Sequence, residues 1–129
     1  ALSLQLVIAQ RLVRVICDSC VQQHTLLPHE REWLRYELHD ELDKNRYMHG
    51  KGCSHCNGTG YLGRTGVYEM LEMTNPVVEA ANTGDLPTFV RVAREQMGGR
   101  TLRRHAALLV VAGKTTVQEA MRISNQFED

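Results

Sequence analysis

The stretch that decides the fold is GCSHCNGTGYLGRTG, from Gly52 to Gly66, in a chain of 129 residues. It holds two cysteines, Cys53 and Cys56, separated by two residues, together with five glycines. Two intervening residues let both sulfurs of such a pair face one ion through a tight turn. Because glycine adopts a positive φ without strain, Gly58 and Gly60 suit a backbone that turns sharply after Cys56. The stretch therefore predicts one half of a metal-binding turn.

A second pair with the same spacing, Cys17 and Cys20, lies closer to the start of the chain. Together the two pairs supply four thiolates, which is the complete ligand set of a tetrahedral zinc site. In a reducing compartment this pattern favours a metal site over disulfides, and a closed ligand set favours a structural ion over a catalytic one. Free buried thiols and a thioredoxin-like redox pair are the alternatives. His24 and His55 are expected to be exposed or packed in loops rather than to replace a cysteine ligand.

The composition argues against several classes of function. The 15 basic residues balance the 15 acidic ones, so no global field draws the chain to nucleic acid or to an anionic membrane. The apolar run from Leu6 to Ala9 is too short to span a membrane, and no signal-peptide pattern precedes it. We therefore expect a cytoplasmic chain that binds no nucleic acid and does not insert into a membrane. Its start inside an apolar run, without an initiator Met, is typical of a piece of a longer protein.

Two segments have the alternation expected of β-strands. Residues 4–16 are rich in β-branched side chains and place Leu4, Leu6, Ile8 and Leu12 on one side of a two-residue repeat. Helical spacing fits another set in the same segment: Leu2, Leu6, Ala9, Val13 and Ile16. Residues 64–73 alternate more clearly. Antiparallel pairing of the two strands would bring the two cysteine pairs together at one end.

The patterns of the remaining segments predict helices. Pro28 suits the first turn of an amphipathic helix from His29 to about Lys44. The apolar positions of that helix are Trp33, Leu34, Leu38 and Leu42. From Thr74 onward, Asn75-Pro76 and Asp85 are typical of helix starts, and Gly98-Gly99 of a helix end. Two further apolar stripes predict a third and a fourth helix in this part: Leu102, Ala106, Leu109 and Val110, then Val117, Ala120 and Met121. The predicted fold class is α+β: a small antiparallel sheet with a zinc-knuckle pair that shares four cysteines, a spacer helix and a C-terminal bundle of short helices.

The residues Gly113-Lys114-Thr115-Thr116 resemble the end of a phosphate-binding loop. That loop requires GxxxxGK[ST], and Leu108 stands where its first glycine belongs. We interpret Gly113 instead as the glycine that ends a helix, and Thr116 with Glu119 as a capping box for the next one. A basic cluster precedes this segment and is interpreted as a solvated face, with a phosphate or partner surface as the alternative. Its members are Arg91, Arg94, Arg100, Arg103 and Arg104.

Two longer motifs give the chain a family resemblance. They are AQRLVRxxC, from Ala9 to Cys17, and CxxCxGxGYxGRTGxYE, from Cys53 to Glu69. With these motifs the chain closely resembles the C-terminal part of the secretion and pilus-assembly ATPases, the motors of type II secretion and of type IV pilus extension. The resemblance covers nearly the whole chain. Within the family, the chain is most similar to the motor of mannose-sensitive haemagglutinin-type pili.

The resemblance implies a division of the chain. Residues 1–16 would be the last strand of a RecA-like ATPase core, residues 17–73 a tetracysteine metal-binding subdomain, and residues 74–129 a helical extension. The implied ligands of a structural Zn²⁺ are Cys17, Cys20, Cys53 and Cys56. ATP and Mg²⁺ would bind only in the full-length parent, whose phosphate loop lies upstream, so the parent would be an ATPase and this chain alone would not.

The resemblance also implies partners. Members of this family work as hexamers that couple ATP hydrolysis to motion of an inner-membrane platform protein. The implied partners are the chain's own ATPase core, neighbouring protomers and that platform protein, at a cytoplasmic location peripheral to the inner membrane. The alternative is a client-binding module, because CxxCxGxG also resembles the zinc repeats of the Hsp40 cochaperones. In this chain, however, the first cysteine pair is followed by Val21-Gln22-Gln23-His24, and no further repeats occur.

Overall fold

The computed structural model describes residues 4–125, and the predictions that fall on residues 1–3 and 126–129, including Leu2, lie outside the described residues. The fold is α+β with small antiparallel sheets, as predicted. The strands are β1 (Gln5–Ile16), β2 (Val21–Gln23), β3 (Met48–Gly50) and β4 (Tyr61–Glu72). The helices are α1 (Pro28–Leu38), α2 (Asn75–Asn82), α3 (Leu86–Met97), α4 (Leu102–Val111) and α5 (Val117–Asn125), with a 3-10 helix at His39–Lys44.

Strands β1 and β4 pair antiparallel along their length, which confirms the predicted pairing. The predicted apolar side of β1 is wrong in detail, because the register shifts between Val7 and Ala9. Leu6 lies opposite Leu71 and Leu12 lies opposite Gly66, so these two leucines are on different faces of the ribbon. The extra residue at this bulge interrupts the two-residue repeat on which the prediction was based.

The spacer helix is shorter than predicted. Pro28 lies in its first turn, as expected, but the α-helix ends at Leu38 because His39 takes a φ of 49°. The six residues that follow form a 3-10 helix, which keeps Leu42 buried beside Leu34 and Leu38. The apolar stripe is therefore confirmed although the helix type changes along it.

Two hydrophobic cores lie along the β1–β4 ribbon. The larger one joins β1 and β4 to α1, the 3-10 helix, α4 and α5. Its buried members include Val13, Trp33, Leu34, Leu42, Val67, Leu102, Ala106, Val110, Val117 and Ile123. The smaller core packs α2 and α3 against the end of β4 through Leu71, Val77, Ala93 and Met97. Strand β4 thus contributes to both cores, with Val67 in one and Leu71 in the other.

The helices after β4 begin and end as predicted, except that one N-cap differs by one residue. The residue before α2 is Thr74, so Asn75 is the first helical residue rather than the cap. Asp85 precedes α3, and Gly98 ends it with a φ of 52°, as predicted. Gly113 follows α4 with a φ of 76° and donates its N–H to the carbonyl of Val110, which confirms its role as a helix-ending glycine.

The five arginines of the basic cluster do not share one surface. The guanidinium of Arg103 lies over the rings of Trp33 and Tyr36, at 4.8 Å and 4.7 Å from their centroids. Arg104 donates to the carbonyl of Glu37 at 2.6 Å, and Arg100 lies 3.6 Å from a carboxylate oxygen of Glu72. Arg91 and Arg94 are exposed on α3. Three members of the cluster therefore hold α4 and its preceding turn against the rest of the fold.

The outer edges of the ribbon are covered unequally. Helix α4 covers β4, where the N–H of Tyr68 donates to Nδ1 of His105 at 3.0 Å. On β1 the end near the cysteines is covered, where Ile16 donates its N–H to the carbonyl of Lys114 at 2.9 Å. Thr115 there donates its hydroxyl to the carbonyl of Arg14 at 2.8 Å. Among the described residues, β1 has no strand beside it other than β4.

Only half of the predicted capping box between Thr116 and Glu119 forms, because the carboxylate of Glu119 contacts β1 instead. Its N–H donates to the hydroxyl of Thr116 at 3.0 Å, as predicted, but its carboxylate does not return to the start of the helix. It accepts instead from the N–H of Arg14 at 2.9 Å and from the guanidinium groups of Arg14 and Arg122. Burial acts to raise the pKa of this carboxyl, but the hydrogen bonds from Arg122 and Arg14 outweigh it and lower the pKa from 4.5 to about 2.

Replacing Glu119 by glutamine is expected to lower the free energy of unfolding by about 2 kcal/mol near neutral pH, because a buried carboxylate paired with two guanidinium groups becomes a neutral amide with a single acceptor oxygen. The pKa is lower in the folded chain, so the stabilisation is complete above the unfolded-state pKa of 4.5 and is lost as the pH falls towards 2. Urea unfolding of both proteins over this range should show the difference shrinking. The exposed Glu79→Gln is the control. A difference that stays constant with pH would contradict the assignment.

Candidate metal centre

The two cysteine pairs meet where two β-ladders end. Cys17 directly follows β1, and its N–H donates to the carbonyl of Gly60, just before β4, at 3.0 Å. On the other side of the centre, β2 and β3 pair antiparallel, and Lys51 donates its N–H to the carbonyl of Cys20 at 3.0 Å. Each pair is therefore tied to the other pair's loop by backbone hydrogen bonds. This confirms that the strand pairing brings the pairs together.

The four sulfurs have the spacing of one coordination sphere. The Sγ–Sγ distances are 3.8 Å for Cys17–Cys53, 3.8 Å for Cys20–Cys56 and 3.7 Å for Cys53–Cys56. All four sulfurs lie within 4.8 Å of one another. A tetrahedral ion with metal–sulfur bonds of about 2.3 Å places its sulfurs about 3.8 Å apart, whereas a disulfide bond is about 2.05 Å long. The cysteines are free, and they are positioned to hold a metal ion.

Backbone N–H groups point at the sulfurs of this cluster. Gly52 donates to Sγ of Cys20 at 3.3 Å, and Gly60 donates to Sγ of Cys56 at 3.2 Å. Cys53 also donates its N–H to Sγ of Cys56, at 3.3 Å. Such donors favour the thiolate, which is the form that binds metal. The φ of 82° at Gly60 turns its N–H towards the sulfur, as expected from the glycine spacing.

The thiols differ in acidity because their surroundings differ. Burial acts to raise the pKa of Cys56, but the N–H groups of Cys53 and Gly60 outweigh it and lower the pKa to about 6. Burial raises the pKa of Cys20 to about 11, and the neighbouring thiols add to this effect. The backbone N–H groups around Cys56 therefore favour its thiolate, which is the form that binds a metal ion.

Gly50 and Gly60 are in backbone contact near the centre, and only Gly60 lies in the glycine-rich stretch that follows Cys56. A Cβ atom added to Gly50 would lie 2.1 Å from the carbonyl oxygen of Gly60, and one added to Gly60 would lie 2.4 Å from that of Gly50. Gly50 has no motif signal, because the residue that excludes its side chain is ten positions away. These two glycines allow β3 to pass directly beside the turn that follows Cys56.

The histidines weighed as replacement ligands lie apart from the sulfurs. His55 is exposed, and His24 is half-buried between Glu30 and His49. Among residues 4–125, the cysteines are the only group of three or more metal-binding side chains with converging ligand atoms. The expectation that both histidines are exposed or packed in loops is confirmed.

The first two N–H groups and both hydroxyls of the Gly113–Thr116 segment are used in contacts within the fold. The N–H groups of Gly113 and Lys114 donate to carbonyls of the last turn of α4. The hydroxyl of Thr115 donates to the carbonyl of Arg14, and that of Thr116 bonds to Tyr61 and to the N–H of Glu119. The segment ends one helix, begins the next and covers the end of β1.

The fold and the site define a class of protein module in which four cysteines, two on each side of a spacer helix, converge where the strands of an antiparallel ribbon end. A family model described as type II/IV secretion system protein matches residues 1–122. The chain belongs to this family, as the motifs predicted.

Individual relatives agree with the family. The type II secretion system protein E of Aeromonas hydrophila is 33% identical over 126 residues, which are 96% of this chain and 24% of that protein. The type IV pilus assembly ATPase PilB of Thermus thermophilus is 31% identical over 116 residues, 89% of this chain and 13% of that protein. PilB of Pseudomonas aeruginosa is 32% identical over 128 residues, 96% of this chain and 22% of that protein. The chain thus spans a quarter or less of the length of these relatives.

No helix within residues 4–125 combines the length and the apolar content that crossing a bilayer requires.

Proposed function

We propose that this chain is the noncatalytic C-terminal region of a motor ATPase that powers type II protein secretion or type IV pilus assembly. A structural Zn²⁺ bound by Cys17, Cys20, Cys53 and Cys56 would hold it together. The observation that carries the proposal is the convergence of the four sulfurs at tetrahedral spacing, between the two motif-bearing strands of a chain that belongs to the secretion family. A closed set of four thiolates leaves no open position for substrate, which supports a structural role for the ion.

The proposed division of the chain assigns residues 1–16 to the last strand of a RecA-like core, 17–73 to the metal-binding subdomain and 74–129 to the helical extension. Within residues 4–125, no strand pairs with the outer edge of β1, and this supports the first assignment, because an unpaired strand edge with apolar side chains is unusual in a finished sheet. Five apolar side chains of this region are exposed: Leu4, Leu6, Val7, Ile8 and Leu12. In the parent protein they would lie against the ATPase core.

The proposal for the parent protein extends to its assembly. It would hydrolyse ATP with Mg²⁺ as a hexamer in the cytoplasm, and it would act on an inner-membrane platform protein without inserting into the membrane. The names of the relatives, a type II secretion protein and two type IV pilus assembly ATPases, support this class of machine. A motor of mannose-sensitive haemagglutinin-type pili is the subtype we propose within it.

We expect the isolated chain to show no ATP turnover at any protein concentration, because the Gly113–Thr116 segment is occupied by helix ends and strand contacts. A coupled assay of ADP release, run on this chain and on the full-length parent, tests this expectation. In the parent, Lys114→Ala should leave turnover within about twofold of wild type. A much larger loss is expected for the lysine of a true phosphate loop, because that lysine contacts the phosphates directly.

Two results would contradict the proposal. Turnover by the isolated chain, lost in Lys114→Ala, would mean that the segment binds nucleotide. Saturable binding of an unfolded client protein by the chain would favour the cochaperone-like module instead.

A further inference from the structure

A second convergence of metal-binding side chains lies on the β2–β3 ladder, outside the four sulfurs. β2 begins directly after Cys20, and β3 ends three residues before Cys53. Gln22 pairs with His49 across this ladder, and His24 follows β2. The two histidines are therefore held by chain segments that both leave the cysteine centre.

These side chains form a continuous polar chain. Nε2 of Gln22 lies 2.8 Å from Nε2 of His49, and Nδ1 of His49 lies 3.0 Å from Nδ1 of His24. Nε2 of His24 lies 2.9 Å from Oε1 of Glu30, which also accepts the N–H of Leu27 at 2.8 Å. Glu30 is only 4% exposed. Each imidazole thus has its outer nitrogen fixed by a partner, while the two inner nitrogens face each other.

This arrangement prepares His24 for a metal ion. A histidine that binds metal through one nitrogen usually donates its other N–H to a carboxylate, which orients the ring and raises its basicity. Glu30 provides that carboxylate for His24. Two neutral imidazoles whose Nδ1 atoms face each other need one hydrogen or one cation between them.

His49 can also present a free lone pair on Nδ1, with its hydrogen on Nε2, without losing a proton. In the neutral chain its Nδ1–H donates to His24, and its Nε2 accepts from Gln22. Turning the amide of Gln22 presents its oxygen, so that the hydrogen of His49 can move to Nε2. Both Nδ1 lone pairs are then available to a cation, with no net release of protons.

The chemistry of the two ligands indicates the kind of ion, because imidazole nitrogens suit divalent transition ions such as Ni²⁺ and Cu²⁺. The 3.0 Å between the inner nitrogens is the length of the hydrogen bond that joins the two rings. With metal–nitrogen bonds of about 2.1 Å, an ion that replaces this hydrogen holds two ligands about 3.0 Å apart at a right angle, so the rings need move little to bind it.

The remaining coordination positions have space. A pocket of about 310 Å³ is lined by His24, Glu30 and His49 on one side and by residues that include Tyr61 and Thr116 on the other. It has polar groups on several sides, so it suits ordered water molecules that complete the coordination of an ion.

We propose that His24 and His49 form a second metal site, separate from the four cysteines, that takes a divalent transition ion such as Ni²⁺ with water as its other ligands. Glu30 is a positioning residue, since it acts on the ion through His24. The site does not depend on the motor function proposed above.

Titration of the zinc-loaded chain with Ni²⁺ by isothermal calorimetry tests the proposal. We expect one additional site, with affinity reduced at least tenfold in His24→Gln and in His49→Gln, and about tenfold in Glu30→Gln. The control is His29→Gln, an exposed histidine at the start of α1, which should bind Ni²⁺ like the wild type. Zinc content, measured after each titration, should stay unchanged.

The proposal is overturned by any of three results. These are no nickel uptake up to about 1 mM, equal affinity in the wild type and His49→Gln, or loss of zinc in proportion to nickel bound. A readout on the wild type alone covers the case in which the variants fail to fold. Paramagnetic Ni²⁺ should broaden the imidazole NMR signals of His24 and His49 before those of His29, and broadening in the reverse order also overturns the proposal.

Discussion

Cys53→Ser is expected to reduce bound zinc from one ion per chain to a small fraction of that and to unfold the cysteine module. Structural zinc sites in small peptides bind with about 10–16 kcal/mol of apparent free energy, and that energy is folding energy because the site does not exist in the unfolded chain. Removing one of four thiolates is therefore expected to lower stability more than any single core substitution. The same result is expected for Cys17→Ser, because the sulfurs of both residues are 3.8 Å apart in one cluster.

Metal analysis of the purified proteins, combined with thermal melting, measures both effects. Ser54→Ala is the matched control, since Ser54 is exposed and lies between the two cysteines of the same turn. It should keep its zinc and melt close to wild type. Unchanged melting of the wild type after a strong chelator has stripped the metal would show that the ion has no structural role.

Gly50→Ala is expected to lower the free energy of unfolding by about 3 kcal/mol or more, although it adds a single methyl group. The added Cβ would lie 2.1 Å from the carbonyl oxygen of Gly60, so the two backbones must separate. That carbonyl accepts the N–H of Cys17, and the N–H of Gly60 donates to Sγ of Cys56. We therefore expect weaker zinc binding together with lower stability.

Urea unfolding and competition with a zinc chelator give the two readouts. Gly99→Ala is the control, because a Cβ there meets nothing within 4 Å. Its effect should stay within about 1 kcal/mol. If Gly50→Ala and Gly99→Ala behave alike, β3 does not pass as close to Gly60 as the structure has it.

The features that could be predicted from sequence depend on residues close together in the chain. The spacing of Cys53 and Cys56, the positive φ at Gly60, and the ends of helices at Gly98 and Gly113 are local properties of a few residues. The pairing of β1 with β4 also followed, because it was the arrangement that brought four thiols to one place.

The features that sequence did not reveal depend on distant partners. The carboxylate of Glu119 turns away from the start of its own helix because the guanidinium and N–H donors of Arg14 on β1 and the guanidinium of Arg122 one turn later are stronger than a single N–H. The bulge after Val7 and the contact of Gly50 with Gly60 are likewise set by the partner strand or loop, which no local pattern contains. The change to a 3-10 helix at His39 has no signal among its neighbours that we can identify.

The cover over the end of β1 has a consequence for biosynthesis. Thr115 and Glu119 contact Arg14 across sequence separations of 101 and 105 residues, so this cover cannot form before the last helix has left the ribosome. The cysteines are joined across only 36 residues. An ion captured by them shortens the loop that the later contacts must close, which reduces the entropy lost in closing it. Contacts of such high order form slowly, so the nascent chain would complete the cysteine cluster before the cover over β1.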